Sequence, residues 1–408
     1  MAKTKYCRAG HSSEDFAYPD FKICGNANVD KIIQESQIND IYEKLQWIPY
    51  DNFQNIEHIA DGGHGSVHSA KLKNGIKRKW NFILKDWEYH LVGSIFALKE
   101  IKDSRYDVEF LKVVKTIYNF DFPANYHGIS KNPSTQNYII VMDLFDYDLH
   151  NFLIKKFWDL EWISKTRMLS SIAEDLRILH TENLVHCGLH SGNILTYTKP
   201  NTILTIDLDL CKLETDLILN FNNKNDKIYG LIPYIPPEVL RGNKFTKKGD
   251  IYSFGGIMYE IVTAQRPFAD QAHDTYLMID ICNGVRPKVP DSMLNWIPEW
   301  YLDLMYRCWS DDPFERPSTY ELSNLFLDVS DKLYGNIVDN NVMRQLKIAD
   351  ENQKNTSKSQ KQELLELFSH SSKIHPQSYY IGRYIHTFHG LRDLLEEIKS
   401  GKSSDPNL

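Results

Sequence analysis

Strand-type patterns occupy the first part of this 408-residue chain, and helical patterns dominate after residue 160. Val67–Ala70 alternates apolar with small residues, while Ile95–Leu98 and Tyr138–Met142 are short apolar runs typical of buried strands. After residue 160 one apolar stripe recurs at helical spacing, at Met168, Ile172, Leu176 and Leu179. Early strands followed by late helices predict an α+β unit with two lobes.

The composition is that of an ordinary globular protein, with 42% hydrophobic and 25% charged residues, which excludes a collagen, a coiled-coil rod and a mostly disordered chain. The 47 basic and 54 acidic residues give a net charge of −7, so the whole chain offers no electrostatic case for nucleic acid.

Basic residues within 71–79, beside Trp80 and Trp87, fit either a nucleic-acid patch or a solvated hairpin. We favour the hairpin, because Asn74 and Gly75 form a typical hairpin turn.

No stretch approaches 18 consecutive apolar residues, and the first residues lack the apolar core of a signal peptide. The six cysteines are too sparse for a disulfide scaffold, and no two of them form a C-x-x-C pair. Cys7 and Cys24 alone cannot fill a four-ligand zinc site, so we expect free thiols. These features predict a cytoplasmic protein without a membrane partner.

Three glycines, Gly62, Gly63 and Gly65, lie between two predicted strands. A dinucleotide-binding fingerprint would have to open a helix, so that fingerprint is excluded. The glycines fit either a hairpin whose backbone N–H groups approach a phosphate chain or an ordinary turn. Lys99 follows Gly65 by 34 residues, at the end of an apolar strand. A cation there needs a partner such as a phosphate, unless its side chain reaches solvent.

Two segments after the helical stripe carry oxygen-bearing side chains. Val185–Leu195 contains Asn193, and Thr205–Asp209 contains Asp207. Amide and carboxylate oxygens are hard ligands of the kind that Mg²⁺ prefers, so the two residues are a candidate metal site.

The order and spacing of these motifs resemble the protein-kinase signature set. The set is completed by Pro236–Glu238, by Asp250–Gly255 and by the stretch 308–317. The resemblance covers about residues 54–330 and is closest to the tyrosine-kinase-like group. The segment Gln46–Asp51, the His-Ser-Gly-Asn wording of the catalytic loop and the tail at His375–Tyr380 further resemble the expanded kinase-like families of arbuscular mycorrhizal fungi.

The resemblance implies a bilobal protein-kinase-like fold, with a small β-rich N-lobe at about 53–141 and a larger α-helical C-lobe at about 146–330. We expect an N-terminal extension with a short helix at 1–52, the kinase-like domain at 53–330, and a helical or partly disordered tail at 331–408. The polar stretch 349–363 indicates a linker or an exposed helix.

The resemblance also implies ATP and Mg²⁺ as cofactors. Val67, Ala97 and Leu195 would enclose the adenine, Met142 would be the gatekeeper, and the hinge would begin at Asp143. The three glycines would cover the phosphates, and Lys99 would hold the α- and β-phosphates.

Asn193 and Asp207 would hold Mg²⁺. Glu238 and Arg316 would form the ion pair that anchors the activation segment, and Asp250 would brace the catalytic loop from beneath. These last three residues are scaffold residues, so their presence does not argue for turnover.

The chain departs from the family pattern at the catalytic base. The loop aspartate that accepts the substrate hydroxyl proton falls at Gly188, which has no side chain to take a proton. General-base catalysis contributes about 10²–10⁴-fold, so the expected loss is roughly 3–5 kcal/mol of barrier stabilisation. His190, two residues on, is a candidate to orient a hydroxyl instead.

Two more departures concern ion pairing. The helix-C glutamate that should pair with Lys99 falls at Val113, with Glu109 one turn earlier as the alternative. The loop arginine is Cys187, so activation through a phosphorylated segment is not expected. We expect this thiol to be buried and inert rather than reactive.

Smaller departures surround the phosphate and substrate sites. Asp209 replaces the glycine that usually closes the metal-binding triplet, Ala60 replaces the first loop glycine, and His64 stands at the loop tip. Ile232 takes the place usually held by threonine in Ser/Thr kinases, so the substrate class stays open.

Three hypotheses follow from these residues. The first is a kinase-fold scaffold or regulator that binds ATP but transfers phosphate poorly, acting on an unidentified protein partner. The second is a slow but active Ser/Thr or Tyr protein kinase. The third is an interaction module that binds no nucleotide, if Asp209 or Ala60 spoils the phosphate site. We favour the first, because the nucleotide-contacting residues survive better than the phosphotransfer residues.

Overall fold

The computed structural model describes residues 26, 29–31, 33, 45–61, 65–81, 86–101, 113, 126–198, 203–208, 210–219, 227–337, 341–361, 375, 377–378 and 380–392. Several residues singled out by the sequence lie outside this part of the chain: Cys7, Cys24, Gly62, Gly63, His64, Glu109 and Asp209.

The first lobe is built on a six-stranded sheet of order β1-β7-β8-β6-β3-β2, in which β1 is parallel to β7 and the other neighbours are antiparallel. The strands of this lobe are β1 (Gln46–Trp47), β2 (Phe53–Asp61), β3 (Gly65–Leu72), β4 (Ile76–Asn81), β5 (Asp86–His90), β6 (Ile95–Ile101), β7 (Tyr126–Lys131) and β8 (Tyr138–Asp143). Strands β4 and β5 pair only with each other, as a hairpin between β3 and β6. The apolar runs of β6 and β8 form the centre of the sheet.

The bend at Asn74 and Gly75 is not the hairpin turn that the sequence predicts. It joins β3 to β4, but β3 pairs with β2 and β6 while β4 pairs with β5. Gly75 adopts a φ of +72°, which a residue with a Cβ atom rarely tolerates. Asn52 holds this bend, because its side chain accepts from the Asn74 backbone N–H at 2.7 Å and donates to the Gly75 carbonyl at 3.2 Å. Lys71 and Lys73 beside the bend are exposed, so this part of the basic stretch is solvated.

The second lobe is mainly helical. Its helices are α1 (Leu149–Lys156), α2 (Trp162–Thr181), α3 (Glu214–Leu219), α4 (Pro237–Leu240), α5 (Lys247–Thr263), α6 (Thr275–Cys282), α7 (Glu299–Cys308), α8 (Thr319–Tyr334) and α9 (Asn341–Lys354). Its short strands are β9 (Tyr147–Asp148), β10 (Leu184–Val185), β11 (Ile194–Tyr197), β12 (Ile203–Ile206), β13 (Lys212–Leu213), β14 (Lys227–Gly230) and β15 (Arg383–His386). They form a three-stranded sheet, β12-β11-β9, and two pairs, β10-β13 and β14-β15.

Helix α2 forms because its apolar residues share one face. The four residues of the predicted stripe are all buried, and they pack into a core that also includes most of α5. Thr246 begins α5 by accepting a hydrogen bond from the Gly249 backbone N–H, and Ala264 ends it with a left-handed φ of 53°. The α+β fold in two lobes, β-rich first and helical second, is therefore confirmed.

Helix α9 agrees with one of the two expectations for the stretch 349–363, a linker or an exposed helix. Residues 349–354 lie in α9 and most of the described residues that follow are exposed, but Ala349 and Gln353 are buried. Gln353 departs from the expectation because it has a buried partner: its Oε1 accepts from Lys165 Nζ of α2 at 2.6 Å. The predicted domain boundary at residue 330 falls inside α8, and the domain bounds stay predictions.

Within the described residues, the search for a membrane-spanning helix finds none with enough length and apolar character.

Candidate active site

The loop between β10 and β11 is held from below by one carboxylate. Asp250, in the first turn of α5, accepts from the backbone N–H groups of His186 at 2.9 Å and Cys187 at 3.0 Å. It also lies 2.9 Å from Nε2 of His180, near the end of α2. Cys187 has a left-handed φ of 62°, a conformation that these hydrogen bonds stabilise. The geometry is the bracing role that the resemblance implies for Asp250.

Gly188, at the position where the resemblance implies the catalytic base, is covered by Leu210. A Cβ atom added to Gly188 would collide with Leu210 Cδ1 and would lie 3.1 Å from Leu210 Cβ. Leu210 is buried in a small cluster with Val185 and Cys187. Sequence reasoning missed Leu210. The only available signal was a large aliphatic residue close behind the metal-binding triplet.

Asn193 and Asp207 lie side by side. The backbone N–H of Asp207 donates to the Asn193 carbonyl at 2.7 Å, where β11 pairs with β12 through Ile194 and Ile206. The Asn193 side-chain amide donates to the Gly188 carbonyl at 2.9 Å, which leaves its side-chain oxygen as the ligand atom. The structure thus brings the two predicted metal residues together.

Asp207 has the character of a cation ligand. Its Oδ1 is buried and accepts no hydrogen bond from the part of the chain that the structure describes. A buried carboxylate oxygen without a donor is costly unless a cation or water satisfies it. In the described residues no three His, Cys, Asp or Glu side chains form a metal-binding group. Mg²⁺ here would therefore need oxygens from a phosphate chain besides Asn193 and Asp207, as is usual for this ion.

Lys99 points at the same carboxylate. Its Nζ lies 2.6 Å from Asp207 Oδ2, and both side chains are largely buried. Val113, the residue expected at the helix-C glutamate position, is helical and 1% exposed, and it packs in the same apolar core as Ala97. Val113 offers Lys99 no carboxylate, whereas Asp207 does.

The expected adenine-binding residues come from both lobes: Val67, Ala97 and Met142 lie on neighbouring strands of the six-stranded sheet, and Leu195 lies on β11 of the second lobe. Ala97 pairs with Met142 across β6 and β8, and both are buried, while Val67 and Leu195 are half-buried. Asp143, at the start of the expected hinge, has its Oδ1 2.7 Å from His127 Nε2. Small and apolar side chains at these positions are compatible with a flat ligand that stays partly exposed.

Gly65 has a structural reason to be glycine. It faces Ile101 across β3 and β6, and an added Cβ atom would collide with the Glu100 carbonyl oxygen. The sheet therefore requires this glycine whether or not a phosphate binds.

His190, the residue expected to orient a hydroxyl, does not have the features of a general base. Its Nδ1 accepts from the Gly192 backbone N–H at 3.1 Å, so the neutral ring carries its proton on Nε2 and presents a donor there. Burial lowers the pKa of His190 to about 3, with smaller contributions from His186, Arg266 and Lys99. A group with this pKa is a poor proton acceptor at neutral pH.

The Cys187 thiol has the features of an inert core group. Burial raises its pKa well above the usual value, and Asp250 raises it further. The Sγ lies 3.4 Å from the Val185 carbonyl. Cys187, Cys211, Cys282 and Cys308 are free thiols.

The ion pair that the resemblance implies as anchor of the activation segment is present. Arg316 is buried and donates two hydrogen bonds to the Glu238 carboxylate, at 2.7 and 2.8 Å. Its remaining donors reach the carbonyls of Ser310 at 2.9 Å and Lys248 at 3.0 Å. Ile232, at the position that bears on substrate class, is buried in the turn before Glu238.

Comparisons of the sequence with known proteins indicate one family. A family model described as protein tyrosine and serine/threonine kinase matches residues 53–326. The chain is 26% identical over 316 residues to "Probable serine/threonine-protein kinase roco5" of Dictyostelium discoideum, covering 74% of this chain and 10% of that protein. It is 27% identical over 290 residues to "Putative serine/threonine-protein kinase/receptor R831" of Acanthamoeba polyphaga mimivirus, covering 68% of this chain and 17% of that protein.

A third relative, "Probable serine/threonine-protein kinase roco8" of Dictyostelium discoideum, is 33% identical over 205 residues, which cover 48% of this chain and 11% of that protein. The chain spans only a small part of the length of these curated relatives.

Proposed function

Because this chain belongs to the protein kinase family, we propose that it is a kinase-fold signalling protein that binds ATP with Mg²⁺ and is severely impaired in phosphotransfer. The observation that carries this proposal is the filled base position, since Leu210 occupies the space that a side chain at 188 would need. His190 offers a donor rather than a proton acceptor, so it supplies no substitute.

Nucleotide binding is supported by Lys99 of the first lobe and Asp207 of the second, whose side chains contact each other. Lys99 and Asp207 are paired at 2.6 Å, and Asp207 keeps a buried oxygen without a donor in the described chain. Lys99 would hold the phosphates, and Asn193 and Asp207 would hold Mg²⁺. When bound, Mg²⁺–ATP supplies the phosphoryl group and the cation that neutralises its charge. Val67, Ala97, Met142, Asp143 and Leu195 would form the adenine slot.

Thermal unfolding in the presence of ATP, with and without Mg²⁺, tests the binding step. We expect the Tm to rise with ATP and to rise further with Mg²⁺, since a ligand that binds only the folded state stabilises it. The matched control is Asp207→Asn, which should lose the Mg²⁺-dependent part. If ATP does not change the Tm of the wild-type protein, the third hypothesis, an interaction module that binds no nucleotide, is favoured.

An autophosphorylation assay tests the transfer step. We expect little or no incorporation of phosphate, and robust transfer by the unmodified chain would overturn the proposal. The alternative is a slow Ser/Thr or Tyr kinase. It is favoured by the loose transition state of phosphoryl transfer, which needs little early proton removal. Residual transfer that disappears in Asp207→Asn would support this alternative.

We also propose, on the sequence patterns alone, a cytoplasmic location, a protein partner or substrate, and membership of the tyrosine-kinase-like group with fungal kinase-like relatives. Imaging of a fluorescent fusion tests the location.

A further inference from the structure

The C-terminal part of the chain returns to the activation segment, the stretch between Asp207 and Glu238. Strand β15 pairs antiparallel with β14 over Lys227–Gly230 and Arg383–His386. Strand β14 leads directly into the turn 232–234, whose Tyr234 ring lies 5.9 Å from the ring of His190 in the catalytic loop. The tail thus adds a strand beside the part of the segment that adjoins the catalytic loop.

A second contact holds the tail at Tyr380. Its hydroxyl donates to the Pro267 carbonyl at 2.9 Å, and its ring packs edge-on against His273 with centroids 4.7 Å apart. The Arg266 guanidinium lies 4.6 Å from the ring centroid, within cation–π range. We call the group Arg266, Pro267 and His273 the tyrosine socket.

The backbone on either side of the tyrosine socket is also bonded to the tail. The His273 backbone N–H donates to the Gln377 carbonyl at 3.0 Å, and His375 donates to the Ala269 carbonyl at 3.0 Å. The Arg383 guanidinium donates to the His273 carbonyl. The tail is therefore bonded at two places: along β14 and around the tyrosine socket.

Side chains in the tail alternate as in a peptide bound by strand addition. Ile385 and Thr387 are buried, whereas Tyr384 of β15, which precedes them, is exposed to solvent. Gly382 permits the close approach: an added Cβ atom would collide with the Tyr229 hydroxyl and would lie 2.7 Å from the ring carbon Cε1. Main-chain pairing supplies affinity in such complexes, and the alternate side chains supply selectivity.

We propose that the edge of β14 is a docking surface for an extended peptide, and that residues 380–387 are its intramolecular occupant. The peptide partner would carry an aromatic residue for the tyrosine socket, a glycine two positions later, a basic residue next, and an aliphatic residue two positions beyond that. This is the pattern of Tyr380, Gly382, Arg383 and Ile385. A partner with this pattern binds only when the tail leaves β14.

Release of the tail breaks its four-pair ladder with β14 and exposes Ile385 and Thr387, which are buried. It therefore costs more than the fraying of a chain end, and less than unfolding of the whole domain. A tethered segment competes at an effective concentration in the millimolar range, so the tail excludes weak peptides and yields to strong ones. The exchange of the tail for a peptide on β14 involves no nucleotide, so this proposal holds whether or not the protein binds ATP.

The test uses the full chain and the variant Gly382→Leu, which forces the tail away from Tyr229. The matched control is Ile381→Leu, at a neighbouring side chain that is 67% exposed and keeps its volume. Hydrogen exchange of the amides of 227–230 should become at least about tenfold faster in Gly382→Leu and stay unchanged in the control. Equal protection of β14 in all three proteins would overturn the proposal.

The second measurement uses a fluorescein-labelled synthetic peptide with the sequence of residues 380–392. Its anisotropy should rise saturably with Gly382→Leu, and half-saturation with wild type or Ile381→Leu should need at least about tenfold more protein. Failure of the released chain to bind the peptide, or equal binding by all three, would overturn the docking surface.

Tyr380→Ala, which empties the tyrosine socket, gives an independent release variant with the same expected direction in both measurements. The ATP-induced change in Tm is recorded on the same proteins. It should be the same in all of them, so a failed nucleotide site and a failed docking surface give different results.

Discussion

The backbone of Gly188 lies against the side chain of Leu210, so closely that a Cβ atom on the glycine would have Leu210 Cβ at 3.1 Å and Cγ at 3.2 Å. The two residues are matched in size, small against large, and Leu210 is itself buried beside Cys187. A side chain at position 188, where the resemblance implies the catalytic base, would therefore meet Leu210. Replacing Gly188 alone leaves Leu210 in the way.

Gly188→Asp alone should not restore phosphotransfer. The new side chain would overpack the loop, which typically costs about 1–3 kcal/mol, and the carboxylate would be displaced from the substrate. Gly188→Asp combined with Leu210→Ala should recover the lost stability and raise transfer, by up to about 10²-fold if the base is the main defect. Urea unfolding and autophosphorylation measure the two effects.

Leu210→Ala alone is the control for this pair, and it should lower stability without raising transfer. Recovery of activity by Gly188→Asp alone would show that Leu210 does not restrict the site. If the double variant is as inactive as the wild-type protein, other residues limit phosphotransfer, and Val113 is the first candidate.

Lys99→Met should abolish the ATP-induced rise in Tm, because it removes the cation expected at the phosphates. It should also cost roughly 3 kcal/mol, since it leaves the largely buried carboxylate of Asp207 without its partner at 2.6 Å. Lys73→Met, at an exposed position, should change neither quantity.

The double variant Lys99→Met with Asp207→Asn distinguishes the two effects. It should regain most of the stability while still failing to respond to ATP. An ATP response that persists in Lys99→Met would contradict the role given to this lysine.

Glu238→Gln should destabilise the second lobe by about 3–5 kcal/mol, because it leaves the buried Arg316 guanidinium without its bidentate partner. The carbonyls of Ser310 and Lys248 would still accept from Arg316, so the lower end of that range is expected. The comparison is Glu321→Gln, which breaks the exposed pair with Arg307 and should cost less than about 1 kcal/mol. Similar losses in the two variants, measured by urea unfolding, would contradict the difference in burial.

Asp175 should make stability depend on pH. Burial raises the pKa of its carboxyl to about 7, from an ordinary value of 3.8, although the backbone N–H of Ile206 donates to it at 3.1 Å. Between these two values the folded state keeps the proton and the unfolded state does not. The free energy of unfolding therefore falls as pH rises from about 4 to about 7, by roughly 4 kcal/mol from this group, and levels above that.

Asp175→Asn removes this dependence, so the stability of the variant relative to wild type should increase steadily from pH 4 to pH 7. Asp291→Asn, at a side chain that is 77% exposed, should show no such trend. Urea unfolding at several pH values measures both. A difference between Asp175→Asn and wild type that stays constant with pH would refute the raised pKa.

Local patterns predicted most of the fold. The stripe of α2 and the apolar runs of β6 and β8 were readable because periodicity and burial are properties of neighbouring residues. The cluster of Lys99, Asn193 and Asp207 was implied by the family resemblance, and the structure brings these side chains together. The assignment of chemical roles to them stays a prediction.

The contacts that were missed join residues far apart in sequence and follow no period. Leu210 covers Gly188, Gln353 accepts from Lys165, and β15 pairs with β14 more than 150 positions earlier. The polar composition around Gln353 predicted an exposed side chain, whereas this side chain is buried. Burial of a polar side chain depends on a partner that only the fold supplies.

The start of α2 has a consequence for how much of the chain folds by itself. Glu161 begins this helix without a side-chain cap, and the Trp162 backbone N–H donates instead to Asp350 of α9 at 2.9 Å. Ending the chain at residue 330 would cut the last turn of α8, remove that cap and strip the buried Lys165 of its acceptor. A recombinant piece that ends at residue 330 would therefore enter assays already weakened, whereas one that reaches residue 354, beyond the end of the family match, keeps these contacts.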